Sequence, residues 1–123
     1  MNTNNLADTI QNYLITKCAR VHRNRPLKSP IPIYIIYRLD SVADTYPSYD
    51  YVLQIDIFDK NDVTANAIES MADSIQADLD HSVINNAVFN AQVELSGRQY
   101  IGVTDLVEAQ LVRLTYDLRV YYK

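Results

Sequence analysis

Apolar residues recur at helical spacing in two segments of the chain. In the first, Leu6, Ile10 and Leu14 follow one another at intervals of four residues, which places them on one face of a helix. This spacing predicts a first helix from about Leu6 to Ala19. The second segment has the same kind of apolar stripe and predicts a second amphipathic helix through Ile68, Met71, Ala72, Ile75 and Leu79.

Elsewhere apolar and polar residues alternate with a period of two, which is typical of a strand with one buried face. Four segments have this pattern and are predicted as strands: Ile33–Leu39, Tyr49–Phe58, Phe89–Leu95 and Val112–Tyr122. Two stretches between them, Asp40–Ser48 and Ser96 to about Gln110, are rich in turn-forming or mixed residues and are predicted as loops.

The predicted order is α-β-β-α-β-β. It indicates a single α+β domain, residues 1–123, with two helices packed on one face of a four-stranded, mainly antiparallel sheet. The other sheet face is predicted to be polar, with Gln54, Asp56, Gln92, Glu94, Arg113, Asp117 and Arg119. We expect this face to meet water, another subunit or a ligand.

Charge is distributed unevenly along the chain. Residues 9–39 contain six basic residues and no acidic residue, whereas residues 40–123 contain five basic and fourteen acidic residues, and the net charge is −4. A basic surface that faces an acidic surface on the next copy would orient a head-to-tail contact. We rank such a contact first for the basic segment, a solvated surface second and nucleic-acid binding third.

The residues that most enzyme sites require are scarce. The two glycines lie in one predicted loop, so there is no glycine-rich cradle for a phosphate, and Cys18 has no second cysteine for a disulfide or a zinc site. His81 is interpreted as a favourable charge at a helix end. We therefore expect no catalytic site, no cofactor and no metal. No apolar run reaches the roughly 20 residues of a membrane span, and no secretory signal pattern is present at the start.

Several of these elements together resemble the tail-completion proteins of long-tailed bacteriophages, also called tail terminators or head–tail joining proteins. The resemblance rests on an N-terminal helix, a proline-flanked strand Pro32–Tyr37, a strand Val52–Phe58, an amphipathic helix through Ala67–Ile75 and a closing aromatic strand Arg113–Tyr122. It extends from about Leu6 to Tyr122. This chain departs from the family pattern in having Ile33 between Pro32 and Tyr34, and in lacking glycines in its first loop.

The resemblance implies a structural virion protein without enzymatic activity. Such a protein assembles in the host cytoplasm into a homo-oligomeric ring, typically a hexamer, which caps the completed tail tube and joins it to the head connector protein. Its partners would be itself, the tail tube protein and the connector. DNA would pass through the lumen without specific binding, and an acidic lining would favour such passage.

Exposure, charge and loop length select the candidate subunit contacts. They are Arg20, Arg23, Arg25 and Lys28 in the basic segment, Asp44 and Tyr46 in the first long loop, and Arg98, Tyr100, Asp105 and Glu108 in the second. The alternative function is a small-ligand or regulatory binding module on a ferredoxin-like sheet. A weaker third reading is a metal-dependent hydrolase or nuclease that uses Asp56 and Asp117.

Overall fold

The computed structural model describes residues 3–24, 33–45, 47–60, 64–102 and 109–123. Within these residues the elements follow the order α-β-β-β-α-β-β-β. The helices are α1 (Thr3–Ile15) and α2 (Asn66–Leu79). The strands are β1 (Val21–Arg23), β2 (Tyr34–Thr45), β3 (Ser48–Lys60), β4 (Ser82–Asn85), β5 (Phe89–Ile101) and β6 (Ala109–Tyr122).

The strands form one mixed, curled sheet in the order β1-β2-β3-β6-β5-β4. β1 pairs with β2 in parallel, and every other neighbouring pair is antiparallel. The predicted four-stranded sheet and the order α-β-β-α-β-β are therefore wrong. The structure adds the two outermost strands, β1 and β4, one at each edge of the sheet.

Both missed strands are too short to produce a detectable alternation. β1 has three residues and closely follows the predicted first helix, and only Arg23 falls in the segment Arg23–Pro30 that the sequence predicts as a connection. β4 has four residues, and its sequence follows α2 so closely that it was interpreted as the end of that helix. The helix instead ends at Leu79, since His81 adopts a left-handed backbone conformation with φ 58° that turns the chain into β4.

Two predicted loops are partly strand. β2 continues to Thr45 and β3 begins at Ser48, so the predicted loop Asp40–Ser48 is mainly a hairpin. Residues 40–44 are all exposed, which explains why no burial pattern marked them as a strand. β5 continues past Leu95 to Ile101 through a register shift opposite β6.

A single large core lies between the helices and one face of the sheet. It contains the predicted helix stripes, such as Leu6, Ile10, Ile68 and Ile75, together with inward residues of the four central strands. The opposite side of the sheet is called the outer face below. At one end of the outer face Tyr34, Phe58 and Leu111 form a second, smaller apolar cluster, in which the Tyr34 and Phe58 rings stack 4.8 Å apart.

Candidate assembly surface

Ion pairs cross the outer face of the sheet. Asp56 on β3 is opposite Arg113 on β6, and the guanidinium donates to both carboxylate oxygens at 2.9 and 3.2 Å. Hydrogen bonding to Asp56 raises the pKa of Arg113 above its usual value. Gln54 also donates to Asp56 at 3.2 Å. This carboxylate is thus fully occupied by neighbouring side chains.

A metal-dependent hydrolase or nuclease would require the carboxylates of Asp56 and Asp117 to lie close together, and they do not. Both residues lie on the outer face of neighbouring strands, but Asp117 is opposite Val52 and Asp56 is opposite Arg113. Val52 and Asp56 are four residues apart on β3, so Asp117 and Asp56 are separated by about 13 Å along the strands. In the part of the chain that the structure describes, no three or more His, Cys, Asp or Glu side chains are grouped so that they could hold a metal ion.

Farther along the outer face, two carboxylates lie side by side. Glu94 on β5 is directly opposite Asp117 on β6, and both side chains are exposed. Neither forms an ion pair or a hydrogen bond with the residues that the structure describes. Like charges directly opposite each other across a strand pair destabilise a sheet. This pair therefore carries a local cost that a basic group from outside the monomer would relieve.

The two carboxylates line a shallow depression of about 390 Å³. Asp50, Gln92 and Arg119 complete its polar wall, and Arg119 is 3.6 Å from Asp50. Among the described residues, Tyr51 is the one tyrosine that lines this depression. A pocket lined by several tyrosines would favour the small-ligand module, and this depression does not have that lining.

The predicted basic contacts lie at one edge of the sheet. Arg20 directly precedes β1 and Arg23 ends it, and both side chains are exposed. Arg20 donates to the carbonyl of Ile33 at 3.1 Å, and Arg23 donates to Asn4 at 3.4 Å. Each of these contacts uses a neutral acceptor. Arg25 and Lys28 lie outside the described residues.

The predicted contacts of the two loops are distributed differently. Asp44 is exposed near the end of the β2–β3 hairpin. Arg98 turns toward α2, where it forms ion pairs with Glu69 and with Asp73, the latter at 2.7 Å. Tyr100 is 51% exposed, although its hydroxyl donates to Gln110 at 2.8 Å. Tyr46, Asp105 and Glu108 lie outside the described residues.

Sequence reasoning missed the surface around β4. Val83 exposes 60% of its surface on this strand, the largest value among the exposed large hydrophobic residues of the described segments. The only signal in the sequence was the short apolar pair Val83–Ile84 after the helix.

Within the described residues, no helix is both long enough and apolar enough to cross a bilayer.

Comparisons with known proteins bear on the fold. No family model matches the chain, and no curated protein matches it. Twelve chains of solved structures resemble it in structure. One of these aligns with 95% of this chain and 96% of its own length, with a TM-score of 0.67 and 15% sequence identity. At that identity the likeness shows a shared fold alone.

Proposed function

We propose that this protein is the subunit of a homo-oligomeric ring that caps the completed tail tube of a long-tailed bacteriophage and joins it to the head connector. The proposal combines the family resemblance of the sequence with the charge arrangement of the outer face. The ring acts as a structural part of the virion. Tube growth stops because the far side of the ring does not repeat the surface that accepts tube subunits.

The juxtaposition of Glu94 and Asp117 is the observation that carries self-association. A monomer gains nothing from two exposed carboxylates opposite each other, since they repel. The approach of the basic edge of another copy to this surface is favourable, because opposite charges then steer and orient the contact. Arg20 and Arg23 supply such a basic edge on this chain.

The contact is head-to-tail, because one copy contributes the basic edge and its neighbour contributes the acidic face. Repetition of such a contact closes a ring when its rotation fits a whole number of subunits. We propose six, as in the family that the sequence resembles. Carboxylates that remain exposed in the lumen would repel the phosphate backbone, so DNA would pass without specific binding.

Sedimentation velocity and negative-stain imaging of the purified protein test self-association. We expect a closed ring whose mass is a whole multiple of 14.1 kDa. The ring should dissociate as salt is raised, since exposed charges at its contacts are screened. A species that remains at 14.1 kDa at every concentration and salt would contradict the proposal.

The terminator role has its own test. Recombinant tail tube protein polymerises into tubes of variable length, and addition of the ring protein should stop growth and leave a ring on one end. Tubes that lengthen unchanged in the presence of assembled rings would remove the tail-terminator role and leave self-association intact.

A further inference from the structure

β4 lies at one edge of the sheet, and the backbone groups that it directs away from β5 can be assigned to particular residues. The amide of Asn86 donates to the carbonyl of Phe89 at 3.0 Å, which fixes the hydrogen-bonding pattern of the β4–β5 ladder. Because inward and outward groups alternate along an antiparallel strand, Val83 and Asn85 direct their N–H and C=O groups away from β5. Among the described residues, none hydrogen bonds to these backbone groups.

Apart from its short length of four residues and the ammonium of Lys123 on the side chain of Asn85, this edge lacks the usual protection against pairing. Exposed edge strands are commonly blocked by a lysine, a proline, an inward charge or a bulge. β4 has the sequence Ser-Val-Ile-Asn and a regular register with β5, so it has none of these features. Val83 adds an exposed apolar side chain at its centre. Such an edge favours pairing with another strand.

The opposite edge of the sheet offers a matching set of groups. The carbonyl of Arg20 accepts from Ile35 at 2.9 Å, and the amide of Asn24 donates to Tyr37 at 2.8 Å. In this parallel register the backbone of His22 faces β2. Val21 and Arg23 therefore direct their N–H and C=O groups outward, with the same two-residue spacing as the outward groups of β4.

Strand direction makes the two edges compatible. From the pairings across the sheet, β1, β2, β6 and β4 run in one direction, and β3 and β5 run in the other. A rotation about an axis parallel to the strands preserves these directions, so β4 of one copy would meet β1 of the next in parallel. The same arrangement brings Arg20, which precedes β1, toward Asp80, which precedes β4.

We infer that β4 of one copy pairs with β1 of a second copy, so that the sheet continues from subunit to subunit. This inference rests on the proposed function and deepens it, since it names the strands that form the ring contact. The partner is another copy of this chain, recognised by main-chain hydrogen bonds between the edges and by opposite charges at the start of the two strands.

A proline substitution tests the main-chain contact. Val83→Pro removes an outward N–H while leaving the hydrogen bonds of β4 to β5 in place, and Val83→Ala truncates the side chain but keeps that N–H. We expect Val83→Pro to raise the concentration for half-assembly by about tenfold or more, and Val83→Ala by about threefold or less. Circular dichroism and urea unfolding of the monomer establish that both variants fold.

Crosslinking tests which strands meet. His22 pairs with Ile36 and Val83 pairs with Gln92, so both side chains lie on the outer face. In a Cys18→Ala background, a short bismaleimide should join His22→Cys protein to Val83→Cys protein when the two are mixed. The double variant should give a ladder of covalent oligomers.

Each single variant alone should remain uncrosslinked. Covalent dimers from Val83→Cys alone would show β4–β4 pairing and overturn the inference. Rings that form without a β1–β4 crosslink, and with equal assembly of the proline and alanine variants, would also overturn it while leaving the proposed function standing. A wild-type chain that never assembles would contradict both.

Discussion

Arg113 holds the carboxylate of Asp56 with two hydrogen bonds across the β3–β6 pair, where only 7% of Asp56 is exposed. A bidentate pair of this kind fixes the register of two central strands as well as neutralising a buried charge. The pair lies next to the apolar cluster of Tyr34 and Phe58, since Asp56 is two residues from Phe58 on the same face of β3. The pair is therefore structural, and it explains why this carboxylate has no free oxygen for chemistry.

Replacement of Asp56 by Asn should lower the free energy of unfolding by about 2 kcal/mol, because Arg113 keeps its charge but loses the opposite charge and one of its two acceptor oxygens. Urea denaturation of the monomer measures the effect. The double variant Asp56→Leu/Arg113→Met should recover most of the loss, since it removes both charges at once. A change below about 0.5 kcal/mol for Asp56→Asn would show that the pair contributes no more than an exposed surface pair.

Arg98 anchors the second half of β5 to α2. It contacts Glu69, Asp73 and Gln76, and its side chain is only 27% exposed. We expect Arg98→Met to lower the free energy of unfolding by about 1 kcal/mol, because one side chain serves several partners. Hydrogen exchange should accelerate at residues 97–101 more than at the start of β5.

Arg38→Met is the matched control for this variant. Arg38 is 56% exposed and its nearest contact with Asp40 is 3.3 Å, so its removal should change stability by less than about 0.5 kcal/mol. Equal effects of the two substitutions would show that Arg98 is an ordinary surface residue.

The central fold could be predicted from the sequence because burial of one face makes apolar residues recur at a regular interval along a helix or strand. Both helices and the buried faces of β2, β3, β5 and β6 have apolar residues at the interval that their geometry requires. Val21–Arg23 and Ser82–Asn85 escaped detection because three or four residues do not establish a period. These edge strands are stabilised by pairing with the neighbouring strand. The residues of that strand lie elsewhere in the chain, so the local sequence does not reveal the pairing.

The candidate surface was predictable only in part. The polar character of the outer face follows from alternation in β3, β5 and β6, and Glu94 and Asp117 were both placed there. Their juxtaposition depends on the β5–β6 register, which no local pattern specifies. Arg98 points toward α2 because the register shift after Leu95 turns the rest of β5 over, so its partners could not be foreseen from the sequence.

The buried hydroxyl of Tyr116 has no hydrogen-bond partner among the described residues. Tyr116→Phe should therefore raise the free energy of unfolding by about 1 kcal/mol, since it removes an unsatisfied polar group and keeps the ring. Tyr37→Phe is the contrasting control, because the Tyr37 hydroxyl donates to Gln11 at 2.8 Å and its loss should be destabilising. Destabilisation by Tyr116→Phe as well would indicate that this hydroxyl is hydrogen bonded.

The same substitution should change the alkaline limit of stability. Burial raises the pKa of Tyr116 above its usual value of 10.0. The unfolded chain loses this proton near pH 10 while the folded chain keeps it, so the stability contribution is complete below pH 10 and is lost as pH rises toward the folded-state pKa. Unfolding free energies measured between pH 9 and pH 11 should fall less steeply for Tyr116→Phe than for the wild type.

Removal of one charge from the Glu94–Asp117 pair should have opposite effects on the monomer and on its assembly. Glu94→Gln relieves repulsion across β5 and β6, so the monomer should gain about 0.3 kcal/mol in urea unfolding. Under the proposed head-to-tail contact, the same change removes an acceptor for the basic edge of the next copy, and half-assembly should require a higher concentration.

Asp8→Asn, on the exposed side of α1, removes one negative charge elsewhere and controls for net charge. If Glu94→Gln and Asp8→Asn shift assembly equally, net charge alone governs association, and the acidic pair has no specific part in the contact.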